Sequence, residues 1–224
     1  MVEQHKSVVL DGPAGVGKST IAKALARRLG YQYIDTGAMY RTAALLALEN
    51  DIPPQESGQE EITRLVLAQP FVFVFDGPLL RVFHGDREVT EDIRTGQVSY
   101  LVSPVSALPE VRRGLTEVQR KMAARGNVVM EGRDIGTVVL PNATYKFFLI
   151  AEDAIRADRR YQELQQKGVD ISPQQVRKDL ARRDYLDSTR KLAPLQKAKD
   201  AIVVDTSNMS IEEVIDSIIA KTER

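Results

Sequence analysis

The residues Gly12-Pro13-Ala14-Gly15-Val16-Gly17-Lys18-Ser19 fit the spacing G-x-x-x-x-G-K-[ST], followed by Thr20. That spacing has a chemical use. Glycines let a loop wrap closely, so that its backbone N–H groups converge on one anion. A lysine at the seventh position can reach β- and γ-phosphates, and the hydroxyl after it can ligate Mg²⁺. The flanking sequence suits the geometry. Val8-Val9-Leu10-Asp11 reads as a buried strand, and Ile21, Ala24, Leu25 and Leu29 put one apolar face on a following helix. A chance glycine-rich turn is the alternative, but a full match between a strand and a helix points to a bound nucleoside triphosphate.

Three further clusters could act on such a ligand. Asp35-Thr36-Gly37-Ala38-Met39-Tyr40-Arg41 follows a second apolar run and opens a helix. Arg41 there could fork onto a second phosphate, or lie solvated on the helix surface. Glu131-Gly132-Arg133-Asp134 follows a third run, 128–130. Glu131 at a strand end can hold Mg²⁺, directly or through water, or serve a structural salt bridge. Seven arginines fall between Arg156 and Arg190. If 173–191 is helical, Arg183, Asp187 and Arg190 share one face. Arg156, Arg159 and Arg160 lie on an earlier helix before a turn at Lys167-Gly168. Two charged helices around that turn suit a lid placing arginines such as Arg159 and Arg160 over transferring phosphates, or else form a solvated salt-bridge ladder.

These groups must be positioned by a scaffold. Short apolar runs at 6–11, 31–35, 128–131, 145–150 and 201–205 alternate with helical stretches. That pattern predicts an α/β fold with a parallel sheet covered on both faces, and a site at the strands' carboxyl ends. The stretch 71–90 differs. Phe71–Phe75, a turn at Asp76-Gly77-Pro78, 79–84, a turn at Gly85-Asp86 and 87–90 read as a small antiparallel meander. Ser210 and Glu213 form a capping box ahead of a last amphipathic helix. The chain has 224 residues, 43% of them hydrophobic, with 31 basic and 31 acidic residues and no cysteine. A disulfide framework and a thiolate metal site are excluded, and zero net charge argues against duplex nucleic-acid binding. No apolar run is long enough to span a bilayer and no leader pattern opens the chain, so a cytoplasmic protein is expected.

DTGAMYR at 35–41, EDIRT at 91–95, SALPEVRR at 106–113, EGRDIGTVVLP at 131–141, RRD at 182–184 and APL at 193–195, set around a GPxGxGKS loop, resemble the bacterial cytidylate kinases. The resemblance covers essentially the whole chain. It implies a phosphate-loop core at 1–36 and 126–224 with a lid near 155–190, and a monophosphate-binding lobe with an insert at 37–125. It implies transfer of the ATP γ-phosphoryl to CMP or dCMP, with Lys18, Arg133 and the lid arginines neutralising charge. Thr36, Arg41 and Arg133 would contact the acceptor monophosphate. Ser103, Arg112 and Asp134 would read cytosine, and Arg183, Asp187 and Arg190 would hold ribose and phosphate. Some family members have Ser where this chain has Thr36, and Asp where it has Glu131. The first change keeps the hydroxyl, and the second adds one methylene. The expected partners are ATP with Mg²⁺ and a small acceptor, with no nucleic acid and no membrane, in a monomer. A kinase for another acceptor such as UMP, and a nucleotide-dependent switch, are the other readings. The lack of an N-K-x-D motif counts against a GTPase switch.

Overall fold

The computed structural model describes residues 5–76 and 79–222; the chain start at 1–4 and the expected turn at Gly77-Pro78 lie outside the described residues. In chain order the first elements are β1 (Ser7–Asp11), α1 (Lys18–Leu29), β2 (Gln32–Asp35), α2 (Thr36–Glu49) and α3 (Gln59–Leu67). Next come β3 (Phe71–Asp76), β4 (Leu79–His84), β5 (Arg87–Glu88), α4 (Gly96–Ala107) and α5 (Pro109–Ala123). The last are β6 (Val128–Gly132), β7 (Tyr145–Ile150), α6 (Asp153–Gln166), α7 (Pro173–Thr189), β8 (Ile202–Asp205) and α8 (Ile211–Thr222). The residues group into two compact units, Met1–Tyr33 with Arg125–Arg224, and Ile34–Ala124.

A five-stranded sheet in the order β2-β6-β1-β7-β8 forms the frame of the first unit. β1 pairs in parallel with β6 and β7, and β7 pairs in parallel with β8. Val8, Val9, Leu10, Val128, Val129 and Met130 are all fully buried. Helices cover both faces of such a strand, so its sequence is continuously apolar rather than alternating. The register sets Asp11 opposite Gly132 on one side and Phe148 on the other. Polar residues that follow β1 and β6 therefore emerge together. After β6 the chain makes one wide helical turn, Ile135–Val139, closed by Leu140 N–H to Ile135 O at 2.7 Å. The expected capping box is present: Ser210 N–H donates to Glu213 Oε2 at 2.8 Å, and Glu213 N–H returns to Ser210 Oγ at 3.3 Å.

The second unit sets four helices with a three-stranded antiparallel sheet, order β3-β4-β5. β4 alternates as a half-buried strand should, with Leu80, Val82 and His84 inward. His84 Nε2 lies 3.0 Å from Val66 O of α3, which ties the meander to the helices. The third strand was expected over 87–90 but ends at Glu88. There the Thr90 hydroxyl takes the Val82 N–H at 2.9 Å, so a side chain replaces the next ladder carbonyl. A second expectation is also corrected. α7 stops at Thr189, because Arg190 has extended backbone (φ −60, ψ 141). Arg190 therefore reaches its partners from the helix cap, not from the helical face shared by Arg183 and Asp187.

Candidate functional site

The loop after β1 passes hard against β7. Gly12 has φ +149, and a Cβ there would lie 2.3 Å from Leu149 O, so only glycine fits. Gly17, at φ 90, turns the chain into α1, whose first residues are Lys18 and Ser19. Lys18 is 6% exposed and its Nζ donates to Pro13 O at 2.6 Å. Thr206, after β8, steadies the loop from behind by donating to Val16 O at 3.1 Å. The expected phosphate-loop residues Gly12, Pro13, Ala14, Gly15, Val16, Gly17, Lys18, Ser19 and Thr20 thus run through one loop into the first turn of α1, with the Ser19 and Thr20 side chains exposed. Beside it lies a cavity of about 330 Å³, walled by Ile21, Met209, Ile211 and Val214 and rimmed by Thr20, Arg159, Arg160 and Thr206.

Below the loop sits a buried charge cluster. Asp11 accepts from the backbone N–H groups of Ile135 and Gly136 at 3.0 and 2.7 Å. Burial pushes its carboxyl up to about 6, despite those bonds. Burial likewise pushes the Lys18 ammonium well below its ordinary value, and Arg133 pushes the same way while Glu131 opposes. Glu131, 4% exposed, accepts the Tyr33 hydroxyl. Arg133 Nε meets Asp187 Oδ2 at 2.9 Å, and Arg190 Nη2 meets Asp134 Oδ1 at 3.3 Å. Burial alone would raise the Asp187 carboxyl, but Arg133, Arg183 and Arg190 outweigh it and hold it below the usual range. The structure therefore brings Lys18, Glu131, Arg133, Asp134, Arg183, Asp187 and Arg190 into one electrostatic cluster.

Of the lid arginines, Arg159 donates to the Thr206 hydroxyl and carbonyl at 3.0 and 2.6 Å, and Arg160 pairs with Glu163 at 2.7 Å. Both line the cavity beside the loop. Arg156, not singled out as a site residue by sequence, is the one bonded to the loop itself: its Nη1 donates to Ala14 O at 2.9 Å. Asp11 and Asp184 were missed for a similar reason. A strand-end acid and one more acid in a charge run carry no local signal, and the backbone N–H groups they accept from lie more than 120 residues away.

In the second unit, Asp35 caps α2, accepting Ala38 N–H at 2.8 Å, and its other oxygen takes Arg41 Nη2 at 3.0 Å. Gly37 leaves room for that fold-back, since a Cβ would lie 3.0 Å from Arg41 Nη1. Thr36 is 3% exposed. The Arg112 guanidinium lies 5.0 Å over the Tyr40 ring, with Nε donating to Ser106 O at 3.0 Å. The Ser106 hydroxyl donates to Ser103 O at 3.0 Å, so Ser103 and Arg112 are held in one hydrogen-bonded chain. Pro104 inside α4 and Pro109 opening α5 fix the corner that carries it.

Among the described residues no cluster of three or more His, Cys, Asp or Glu could cage a metal ion. No described helix is long and apolar enough to cross a membrane.

The Bacteroides thetaiotaomicron shikimate kinase shares the fold, with a TM-score of 0.51 at 14% identity over 99% of this chain and 100% of that one. Sequence relatives carry more. The cytidylate kinase from Carboxydothermus hydrogenoformans is 49% identical over 95% of each chain. The cytidylate kinase from Streptococcus thermophilus is 45% identical over 97% of this chain and 96% of its own. The family model for cytidylate kinase matches residues 8–224, spanning the phosphate loop, the charge cluster and the Tyr40–Arg112 corner alike. By that full-length match the chain belongs to the cytidylate kinase family.

Proposed function

We propose that the protein transfers the γ-phosphoryl group of ATP to CMP or dCMP, giving ADP and CDP or dCDP. The observation that carries this is a complete phosphate loop in a chain that matches the cytidylate kinase family from residue 8 to its end. The donor phosphates lie along the loop from Gly12 to Thr20, with the base and ribose in the apolar cavity beside it. Arg159 and Arg160, which rim that cavity, are the lid arginines assigned to the transferring phosphates. The acceptor phosphate goes to Thr36, Arg41 and Arg133. Ser103, Arg112 and Asp134 read the base, and Arg183, Asp187 and Arg190 hold ribose and phosphate.

Transfer is an in-line displacement. The attacking phosphate oxygen of the acceptor forms the new P–O bond as the bond to the β-phosphate oxygen breaks, with no covalent enzyme intermediate. The protein's work is to align the two and to neutralise charge on the moving group. Lys18 suits that role, because its buried ammonium gains most from a nearby anion. Ser19 and Glu131, the latter directly or through water, would hold Mg²⁺, which supplies positive charge to the phosphates. One hydroxyl and one carboxylate fit an ion that keeps waters and phosphate oxygens as its other ligands.

Base chemistry gives the test. Cytosine offers an amino donor at N4 and an acceptor at N3, and uracil reverses both. Asp134 accepts from the first and opposes the second, and Arg112 donates to N3 of cytosine but meets an N–H in uracil. Each unpaired buried group costs ~1–3 kcal/mol, so two mismatches give roughly 10²–10⁴-fold preference for CMP. Steady-state kcat/KM for CMP, dCMP, UMP, AMP and GMP with ATP measures it. CMP and dCMP should lead, and Asp134→Ala should narrow the CMP-to-UMP ratio. An unchanged ratio removes Asp134 from base reading, and hydrolysis of nucleotide without an acceptor would favour a switch.

A further inference from the structure

Ala14, in the middle of the phosphate loop, is held by all three of its groups, and every holder belongs to α6 or α7. Its N–H donates to Asp184 Oδ1 at 3.2 Å. Its carbonyl accepts from Arg156 Nη1 at 2.9 Å. Its methyl packs into a small core with Ala157, Val176 and Leu180. The two polar holders are themselves paired, Arg156 Nη1 to Asp184 Oδ2 at 2.5 Å, and Asp153 takes Arg156 Nη2 at 2.6 Å. Arg156 is 7% exposed, and the next loop residue, Gly15, is pressed against it, since a Cβ there would lie 3.0 Å from Arg156 O.

An acid at this place is costly. Asp184 is bonded directly to the loop that is to receive a triphosphate, where an unpaired carboxylate would repel the ligand. It is tolerated because Arg156 neutralises it while using the same guanidinium nitrogen to hold the loop carbonyl. From this geometry we infer that Arg156 and Asp184 are positioning residues for the donor phosphates, acting through the Ala14 peptide. Asp184 orients the N–H and Arg156 the carbonyl, and Arg156 cancels the charge that Asp184 brings. The loop's shape thus depends on the seating of α6 and α7. The inference rests on ATP being the donor, and wild-type ATP binding is therefore measured first.

The charge argument makes a prediction that a packing role does not. Removing Arg156 strips the loop of a donor and exposes the Asp184 charge. Arg156→Ala should weaken ATP binding about 100-fold, and Asp184→Asn alone by about 3- to 10-fold, because Asn still accepts the Ala14 N–H. The double variant Arg156→Ala/Asp184→Asn should bind ATP better than Arg156→Ala, recovering about 10-fold. Arg156→Lys keeps a cation and should stay within about 10-fold of wild type. Calorimetric titration with ATP and, separately, with CMP reads all four, with urea denaturation confirming that each is folded. If Arg156→Ala does not fold, Arg156→Lys and its double with Asp184→Asn carry the test: neutralising Asp184 should then bring no loss beyond Asp184→Asn alone. Rescue for ATP with CMP affinity within about 2-fold of wild type supports the inference. A double variant worse than Arg156→Ala, or ATP and CMP affinity falling in step, overturns it. A wild type that does not bind ATP would overturn the donor assignment and the inference with it, an outcome separate from failed rescue.

Discussion

Replacing Asp11 by Asn should change stability in a pH-dependent way, and the size follows from the site. The carboxyl is 3% exposed and is shifted from 3.8 to about 6, chiefly by burial. The folded chain therefore holds the proton more tightly than the unfolded chain. Between those values the native state binds more protons, so this group makes stability fall as pH rises. At pH 7 it is ionised in both states, and the fold bears the whole difference, about 3 kcal/mol at ~1.36 kcal/mol per unit. At pH 5 the folded state takes up most of a proton, which recovers about 1.4 kcal/mol, and at pH 4 about 2.4 kcal/mol. Asn carries no charge at any of these values. Its amide must turn N–H toward one of the two backbone donors, Ile135 or Gly136, at a cost of ~1–3 kcal/mol that does not depend on pH. The unfolding free energy of wild type minus that of Asp11→Asn should then rise by about 1.4 kcal/mol from pH 7 to pH 5. Urea denaturation of both chains at pH 7, 6, 5 and 4 measures it, with every other titrating group common to both. A difference that stays flat, or falls toward acid pH, would refute the reasoning.

Other outcomes follow from the same cluster. Lys18→Ala should leave a folded protein with CMP phosphorylation reduced by orders of magnitude, checked by a coupled assay beside a urea melt. Since burial and Arg133 hold the Lys18 ammonium below its ordinary value, donor phosphates should raise it. ATP binding should then take up protons above neutral pH, as seen by calorimetry in two buffers, and the uptake should vanish in Lys18→Ala. Asp187→Ala should weaken CMP use by about 10-fold or more and ATP affinity little, because it frees the guanidinium partner Arg133. Equal losses for both substrates would mark the Arg133–Asp187 pair as structural.

The frame was legible because its causes are local. Strands buried on both faces, as β1 and β6 are, read as continuously apolar, and all five apolar runs became strands within a residue or so of their expected ends. The strand expected over 79–84 and the Ser210–Glu213 box are equally local signals, and both hold. What sequence did not reveal depends on distant partners. β5 stops short because one hydroxyl, Thr90, displaces a ladder carbonyl, and any Thr at a strand end looks the same in sequence. α7 ends at Thr189 without a glycine or proline. Arg190 is drawn out of the helix by Ala193 O at 2.7 Å and by Asp134, a residue 56 positions earlier. The Asp11, Arg156 and Asp184 roles arise from contacts spanning 124 to 170 residues. An ionisable side chain in a run of ionisable side chains gives no hint of which one will be buried.

That burial resolves the apparent mismatch between an arginine-rich tract and a chain of zero net charge. Near the loop most of the guanidinium groups are set against carboxylates: Arg133 on Asp187, Arg190 on Asp134, Arg156 on Asp184 and Asp153. Such pairing fixes the planar forks in place before any ligand arrives, and it keeps buried charge from going uncompensated. It does not leave every charge well stabilised. Burial does most to push the Lys18 ammonium down, and Arg133 and Arg183 push the same way against Glu131 and Asp11. A poorly solvated ammonium thus stands at the residue that must meet the transferring group. An anion entering there relieves that strain, whereas one binding elsewhere on this balanced surface gains little. Selectivity for a phosphate in the loop therefore needs no basic face, only arginines whose charge is already assigned and one buried lysine whose charge is not.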